Sequence, residues 1–417
     1  MNVKKIVEYW KYPLILLFGI GISSIGTWIY FIALNLIVFH MTGSPLAVSV
    51  LYIMKPLATL FTNLWGGSII DRQNKKHFMV WLDIMQGVLI TCLVFSTHTL
   101  WMIYMLVFFI NIASSLYEPT SVSYITRLIP LQQRQRFNSL RSLLDSGAFL
   151  LGPAMAGLLF IIGTPTLAIF INGMSFYVSA LVTLLMPNVE KNIVNQVSNQ
   201  KLSLRIVIVD LKIVLQFSRR FLYVMTVCFL FNIFVVMQSA VDSLEVAFAT
   251  EVISLSESQY GFLVSIAGAG IILGSFVNVI FTNKLSLSYL IGLGSVMVSV
   301  GYMIYTFSND FLVASIGFFV LAFSLAFANT GYHTFYQNHI PVEIMGRIGS
   351  VYGFIEALLV IIFTSVFALA AQILSIKFVV VTGAIFMLLL TSLLLCINVQ
   401  PSKETYYRIE NQHSNMP

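Results

Sequence analysis

Twelve stretches of the chain are apolar over the length that a helix needs to cross a lipid bilayer, about 20 residues. Each stretch is bounded by polar, charged or turn-forming residues. They lie at 13–39, 46–70, 77–97, 100–126, 139–163, 166–187, 220–249, 258–282, 286–307, 311–338, 347–373 and 376–398. This pattern predicts an all-α integral membrane protein with twelve transmembrane helices, numbered spans 1 to 12 in chain order.

The longest polar connection, 188–219, follows span 6 and divides the spans into two groups of six. We therefore predict an N-terminal six-helix bundle at 1–187, a cytoplasmic linker at 188–219, a C-terminal six-helix bundle at 220–398 and a cytoplasmic tail at 399–417. Residues 201–218 alternate apolar and basic positions. That alternation is compatible with a helix on the membrane surface or with an irregular linker.

A weak internal repeat relates the two halves. One sequence offset superposes an Ile-Pro pair, a basic connection and an acid early in the next helix. The matched positions are Ile129 and Ile340, Pro130 and Pro341, Arg136 and Arg347, Ser139 and Ser350, and Asp145 and Glu356. Repeats of this kind are typical of transporters whose two bundles enclose a site near the middle of the membrane. We expect two pseudo-symmetric bundles.

Composition agrees with a membrane protein and excludes a soluble one. Hydrophobic residues make up 58% of the chain and charged residues 9%, against about 25% charged in a soluble domain. Of the 22 Lys and Arg residues, all but Lys55 and Lys377 fall at the N-terminus, in alternate connections or in the tail. The basic residues are therefore distributed as the positive-inside rule describes, which predicts cytoplasmic termini. Because this distribution accounts for the net charge of +6, we expect no nucleic-acid partner.

Residues that carry enzymatic or metal chemistry are sparse. Cys92, Cys228 and Cys396 lie far apart within spans, and His333 and His339 stand at i and i+6, which is poor spacing for joint ligation from one helix face. The sequence has no Gly-rich phosphate-binding loop and no nucleophile–base arrangement. We expect no enzyme, no metal and no cofactor, with a proton gradient as the energy source.

The loop after span 2 carries a recognisable motif, Gly67-Ser-Ile-Ile-Asp71-Arg72-Gln-Asn-Lys75-Lys76. It resembles the loop 2–3 signature of the major facilitator superfamily. In that family the loop latches the two halves on the cytoplasmic side in the outward-facing state, so the resemblance implies such a latch here.

Two residues near this loop have further expected roles. Asn74 stands where the signature prefers Gly, and Asn also tolerates a left-handed backbone turn. Asp83 lies in the first half of span 3, where it is expected to form a structural ion pair with Arg72 or Lys76.

Span 5 carries a second motif, Gly147-Ala-Phe-Leu-Leu-Gly152-Pro153-Ala-Met-Ala156-Gly157. It resembles the Gly-Pro-x-x-Gly-Gly signature of the superfamily's proton-linked exporters, with Ala156 in place of one Gly. Small residues let helices approach closely and Pro153 bends the helix. Generic packing of small residues in a membrane bundle is the alternative explanation.

The resemblance extends over essentially the whole chain and is closest to bacterial twelve-span drug:proton antiporters of the macrolide-efflux-like and multidrug type. It implies the major-facilitator fold, a bacterial plasma membrane location and a functional monomer. The implied partners are protons, the lipid bilayer and a hydrophobic or cationic small-molecule substrate.

Acidic residues inside spans are the main functional candidates, because an ionisable group in the membrane interior is costly unless it is paired, solvated or protonated. Glu118 lies in a polar stripe of span 4 and is the first candidate for contact with cargo or proton. Asp145 and Glu356 lie in the inner halves of spans 5 and 11, and either could instead pair with Arg141 or with a helix end.

A second set of acids lies toward the outer end of span 7. Asp242 and Glu245 stand three residues apart and would complete a proton path with access from both sides, although Glu245 could simply be solvated. Lys55 interrupts span 2 and could pair with an acid or attract an anionic cargo. The sequence does not choose between these two roles.

The sequence therefore favours a proton-coupled exporter of hydrophobic or cationic small molecules that works by alternating access. One alternative is a dedicated exporter of one endogenous metabolite, peptide or lipid. Others are an uncoupled facilitator or importer, and a sensor built on the same fold.

Overall fold

The computed structural model describes residues 3–63, 66, 69–70, 73–129, 131–189, 204–281 and 286–407. Within these ranges the chain is almost entirely helical, and twelve helices are long and apolar enough to cross a membrane. The spans are the helices Val3–Thr42, Pro45–Asn63, Lys75–Phe95, Leu100–Leu128, Leu131–Ile162, Pro165–Leu184, Leu222–Asp242, Glu257–Phe281, Leu287–Thr306, Phe311–His339, Val342–Ile373 and Ile376–Asn398. The prediction of a twelve-span all-α membrane protein is confirmed.

Short connections with side-chain caps separate many of the spans. Thr164, Asp310 and Ser375 each accept a hydrogen bond from a backbone N–H in the first turn of the following helix, which satisfies one of the N–H groups left free at a helix start. Gly43 ends span 1 with a φ of 58°, a left-handed conformation that glycine adopts without steric cost.

Asn74 also caps a helix. Its φ is −66° and its side chain accepts a hydrogen bond from the backbone N–H of His77, so it is the N-cap of span 3. Asn74 therefore does not adopt the left-handed turn that its residue type tolerates. Its amide also donates to Asn188 Oδ1 at 2.9 Å, which ties the start of span 3 to the chain beyond span 6.

Span 7 is shorter than the sequence predicted. Its helix ends at Asp242 and is followed by a single turn, Glu245–Ala247, and a π-helix, Phe248–Val252. Ser243 Oγ donates to the carbonyl of Ala240 at 2.7 Å, and side-chain bonding of this kind competes with the regular helix. The prediction of one continuous span at 220–249 missed this break because the residues stay apolar across it.

The two halves pack their helices in the same way. Span 1 packs on spans 5 and 6, and span 7 packs on spans 11 and 12. Span 3 packs on spans 4 and 6, and span 9 packs on spans 10 and 12; spans 2 and 4 correspond likewise to spans 8 and 10. The halves meet through span 5 against span 8 and span 2 against span 11. This is the arrangement of two pseudo-symmetric six-helix bundles.

The alternation of spans gives the bundle two ends. We call the end with the termini, the linker and the 2–3, 4–5, 8–9 and 10–11 connections the basic end, and the other the opposite end. At the opposite end Ser49 Oγ lies 3.2 Å from Ser243 Oγ, the Gln372 amide donates to Ser44 Oγ at 3.1 Å, and His40 lies 3.4 Å from Glu257. Each pair joins one half to the other, so the halves are closed together at this end.

Two segments at the basic end pack against the C-terminal half. The linker contains a helix, Leu204–Arg220, which confirms the helical alternative for most of 201–218, and Val214 of this helix is buried against Met225 and Ile348. After span 12 the chain continues into a short 3-10 helix, Pro401–Tyr406. Tyr407 is buried and donates a hydrogen bond to Asn398 Oδ1 at 2.7 Å.

Candidate functional site

A cavity of about 470 Å³ lies within the N-terminal half, and we call it the N lobe. Spans 1, 3, 4, 5 and 6 line it. On span 5 its lining residues Arg141, Asp145 and Phe149 come before Leu150, whose carbonyl accepts a hydrogen bond from Ser265 of span 8 at 2.7 Å. Because span 5 runs away from the basic end, the N lobe lies on the basic-end side of the contact between the halves.

Three charged side chains form a network in the N lobe. Arg141 Nη2 donates to Glu118 Oε1 at 2.8 Å, and Arg141 Nε lies 3.9 Å from Asp145 Oδ2, one helical turn further along span 5. Ser24 of span 1 donates to Asp145 Oδ1 at 3.4 Å. Of the alternatives for Asp145, the pairing with Arg141 is the one that the structure shows.

The network is uneven in its exposure. The Arg141 side chain is 19% exposed, whereas those of Glu118 and Asp145 are 64% and 52% exposed. One guanidinium therefore balances two carboxylates that remain open to the cavity, and the N lobe keeps one excess negative charge when all three are ionised. Glu118 lines the cavity, as its polar stripe predicted, but it is ion-paired.

Aromatic rings form the deeper wall of the N lobe. Trp28 and Phe149 meet edge to face with their centroids 4.5 Å apart, and Tyr30 and Phe176 also line the cavity. Aromatic walls with a few charged groups are typical of small-molecule sites.

A second cavity, of about 220 Å³, lies within the C-terminal half, and we call it the C lobe. Glu356 of span 11 lines it together with Tyr332, His333 and Tyr336 of span 10 and Tyr352 of span 11. The Tyr332 ring stacks on Phe231 with a centroid distance of 4.1 Å. Its hydroxyl donates to Asn232 Oδ1 at 3.2 Å, so both the ring and the hydroxyl are held in place.

Glu356 differs from the acids of the N lobe in having no cationic partner. Within the described ranges no Lys, Arg or His side chain is within ion-pair distance of its carboxylate. The alternative that Glu356 pairs with Arg141 is therefore wrong, because Arg141 is bound to acids of the other half. The C lobe holds a half-buried carboxylate among tyrosine rings.

A third group of acids lies where the halves are closed together. Tyr302 of span 9 donates a hydrogen bond to Asp242, and Tyr260 of span 8 donates to Glu245 Oε1 at 2.9 Å. Both carboxyl groups are half-buried and flank the break after span 7. The alternative that Glu245 is merely solvated at the surface is wrong, because a buried tyrosine holds it.

The tyrosines around this pair were not identified from the sequence. Tyr260 and Tyr302 are almost fully buried, and Tyr305 donates to the carbonyl of Glu245 at 3.3 Å. Their position within otherwise apolar helices could have indicated that they bind a polar group inside the bundle, because a buried tyrosine hydroxyl usually has a hydrogen-bond partner.

Asp83 is buried and its partner is a hydroxyl. Ser179 of span 6 donates to Asp83 Oδ2 at 2.9 Å, which ties span 3 to span 6. Lys76 forms no ion pair with Asp83, so this one of the two expected partners is wrong. The other, Arg72, lies outside the described residues, as do Gly67 and Asp71, and the pairing of Asp83 with Arg72 stays a prediction. Lys75 is buried and donates to the carbonyl of Gln73 at 2.9 Å.

The small residues of span 5 lie at helix crossings. A Cβ on Gly152 would lie 2.4 Å from the Cβ of Trp28 on span 1, and one on Gly157 would lie 2.9 Å from the Ser258 carbonyl oxygen at the start of span 8. Ala156 is fully buried, and the Pro153 carbonyl faces Gly261 of span 8.

Gly147 and Lys55 do not take part in these contacts. A Cβ on Gly147 would meet no atom within 4 Å, so Gly147 is not a packing position although it belongs to the same motif. Lys55 is exposed and forms no ion pair with a described acid. It lines neither lobe.

Comparison with known proteins agrees with this architecture. An uncharacterized MFS-type transporter of Bacillus subtilis, YfiS, is 24% identical over 335 residues, which is 78% of this chain and 79% of YfiS. The crystal structure of the nucleoside transporter NupG superposes with a TM-score of 0.72 at 14% identity, covering 93% of this chain and 98% of NupG.

A bacterial homolog of the human lysosomal transporter Spinster, in an inward-facing and unoccupied conformation, gives a TM-score of 0.71 at 14% identity over 96% of this chain and 98% of its own. At these identities the two structures show the fold alone. The family model described as Major Facilitator Superfamily matches residues 16–365. The chain belongs to the major facilitator superfamily and is a multi-pass membrane transporter rather than an enzyme.

Proposed function

We propose that this chain is a proton-coupled secondary transporter of a bacterial plasma membrane that exports hydrophobic or cationic small molecules by alternating access. The basic end, with both termini, faces the cytoplasm in this proposal, because Lys and Arg concentrate in its connections. The N lobe lies on the basic-end side of the closed contact, and the C lobe is lined by the last part of span 10 and the first part of span 11, which lie at the same end. Cargo from the cytoplasm or the inner leaflet would therefore enter both lobes.

The Asp242–Glu245 pair is the observation that carries the proton coupling. Its described hydrogen-bond donors are the neutral hydroxyls of Tyr302 and Tyr260. Among the described residues the pair has no cationic partner. Two such carboxylates are costly in a membrane interior, and a bound proton removes that cost. The pair can therefore take up and release protons where the halves separate.

The position of the pair links protons to movement. Ser243, between the two acids, is bonded to Ser49 of span 2 in the other half. A change of charge on either acid acts directly on a contact that must break when the transporter opens at the opposite end. Protons arriving from outside would act at this contact while cargo occupies the lobes.

The N lobe supplies a second place at which protons and cargo can compete. Arg141 holds Glu118 and Asp145 together by charge. Protonation of either acid would release one bond of the guanidinium, and a cationic cargo would compete with the guanidinium for the same carboxylates. Exchange of protons against cargo then needs neither ATP nor a cofactor.

Transport in proteoliposomes tests the proposal. The purified chain would be reconstituted with a fluorescent cationic dye under an imposed pH gradient, and wild type would be compared with Asp242→Asn/Glu245→Gln. Glu251→Gln is the matched control, because Glu251 is an exposed acid at the same end of the bundle. We expect the gradient to drive the dye in wild type and in the control.

In the double variant we expect dye exchange without a gradient to persist and the response to the gradient to be lost. Dye movement that ignores the gradient in wild type would refute coupling and favour an uncoupled facilitator. A double variant that responds like wild type would remove the coupling role from the pair. A transporter that moves one endogenous metabolite, peptide or lipid and no dye would refute the multidrug proposal.

A further inference from the structure

The internal repeat places chemically different residues at matched positions of the two lobes. The register is supported by burial, because Ile129 and its match Ile340 are both fully buried, as are Phe137 and its match Ile348. In this register Glu356 corresponds to Asp145. The residue one helical turn before the acid is Arg141 in the N-terminal half and Tyr352 in the C-terminal half.

This difference determines whether the acid of each lobe has a cation beside it on its own helix. Asp145 has a cation on its own helix, the Arg141 guanidinium at 3.9 Å. Glu356 has at the same place a tyrosine ring, which offers the negative face of a π-system and no positive charge. The N lobe therefore balances most of its own charge, whereas the C lobe carries an acid to which the described residues offer no counter-ion within ion-pair distance.

The shape of the C lobe leaves room beside this acid. Gly349 and Gly353 precede Glu356 on the cavity-lining side of span 11. A Cβ on Gly353 would meet no atom within 4 Å, and one on Gly349 would meet only the Tyr336 hydroxyl at 3.7 Å. A side chain at either position would occupy the lobe, so the glycines keep about 220 Å³ open.

We propose that the C lobe is the binding site for the positively charged head of an amphipathic organic cation. The Glu356 carboxylate serves as its counter-ion, and the rings of Tyr332 and Tyr352 form the walls that attract the cation. This inference rests on the proposed transport function and names the part of the site that selects the charge of the cargo.

Other occupants fit the lobe less well. A bound Ca²⁺ or Mg²⁺ needs about six or more oxygen ligands in an ordered shell, and the lobe offers one carboxylate among rings. An anion would meet an uncompensated negative charge. A neutral molecule would fill the space but leave the half-buried carboxylate without a partner.

Equilibrium binding of radiolabelled tetraphenylphosphonium to the purified full-length chain in detergent tests whether the C lobe is this cation-binding site. Displacement by triphenylphosphine oxide, a neutral molecule of similar shape, reports apolar binding separately from charge. We expect Glu356→Gln to weaken the cation at least about ten-fold, the order expected for a buried cation contact, and to change displacement by the neutral molecule much less.

Tyr352→Arg is the sharper variant, because it gives the C lobe the internal cation that the N lobe has. It should weaken the phosphonium at least about ten-fold relative to Tyr352→Phe, which keeps the ring and adds no charge. Glu251→Gln serves as the charge-matched control away from both lobes. Monodispersity and thermal unfolding of each variant establish that it is folded.

Three outcomes would each refute the cation-binding site: wild-type phosphonium affinity in Glu356→Gln, equal affinity in Tyr352→Arg and Tyr352→Phe, or no binding by wild type. The same variants tested for gradient-driven transport separate this inference from the proposed function. Binding that depends on Glu356 without any response of transport to the gradient would support the cation-binding site and refute proton exchange. Gradient-driven transport with unchanged binding in Glu356→Gln would support proton exchange and refute the cation-binding site.

Discussion

The contact between spans 5 and 8 allows the alternating-access proposal to be tested by adding a single methyl group. A Cβ on Gly261 would lie 2.8 Å from the Cα and N of Gly157 and 2.8 Å from the carbonyl oxygen of Pro153. All three atoms belong to the backbone of span 5, so no side chain can rotate away. Gly261→Ala must therefore push the two helices apart.

The size of the effect follows from the overlap. Ordinary contacts of a Cβ lie at 3.4–4 Å, and forcing a methyl group into a packed interface costs about 1–3 kcal/mol. The cost arises only while spans 5 and 8 touch, which is when the opposite end is closed. We expect the ratio of open to closed molecules to rise about 5- to 150-fold, which corresponds to that energy.

Thiol labelling measures this ratio. Ser49 is fully buried at the closed contact, so a cysteine introduced there reacts with a water-soluble maleimide only when the opposite end opens. Cys92 and Cys396, which are exposed, would be replaced by serine. The labelling rate of Ser49→Cys should rise in Gly261→Ala by the factor given above, because it follows the open population.

Gly147→Ala is the matched control, since it adds the same methyl group to the motif on span 5 where no atom lies within 4 Å. Its labelling rate should stay near that of the parent. If Gly261→Ala labels no faster than Gly147→Ala, the Gly157–Gly261 crossing is not part of the contact that opens. The role assigned to the span 5 motif would then be refuted.

Two further predictions concern contacts away from this crossing. Tyr407→Phe removes the hydroxyl that bonds Asn398 and should lower stability by about 1 kcal/mol, seen as a lower unfolding temperature in detergent. An unchanged temperature would show that this hydrogen bond contributes no stability. Arg141→Gln leaves the carboxylates of Glu118 and Asp145 without their cation. Its unfolding temperature should fall, because the two like charges then face the cavity without the cation that balances them, and an unchanged unfolding temperature would refute the charge network.

The spans could be predicted closely because the bilayer fixes their length and polarity. Span 12 was expected at 376–398 and its helix is Ile376–Asn398. The same criterion failed in span 7, where apolar residues continue past Asp242 although the helix stops. The hydrogen bond from Ser243 to the Ala240 carbonyl does not change the hydrophobic pattern of the sequence, so hydropathy cannot predict the break.

The candidate site was predictable only where its contacts are local. Arg141 and Asp145 are one helical turn apart, and the sequence could therefore suggest their pairing. The bond from Arg141 to Glu118 joins spans 5 and 4, and the bond from Ser179 to Asp83 joins spans 6 and 3. Neither partner could be chosen before the packing of the helices was known.

The charges around the two lobes limit the cargo more strongly than their shapes do. In the N lobe one guanidinium faces two carboxylates, and in the C lobe Glu356 faces no Lys or Arg among the described lining residues. Lys55, the residue that could have favoured an anion, is exposed and lines neither lobe. An anionic cargo would therefore enter a field of uncompensated negative charge on both sides, which raises its free energy, whereas a cation lowers the cost of each unbalanced carboxylate. The same carboxylates can bind protons instead, and this competition is what would make the exit of a cation depend on the entry of protons.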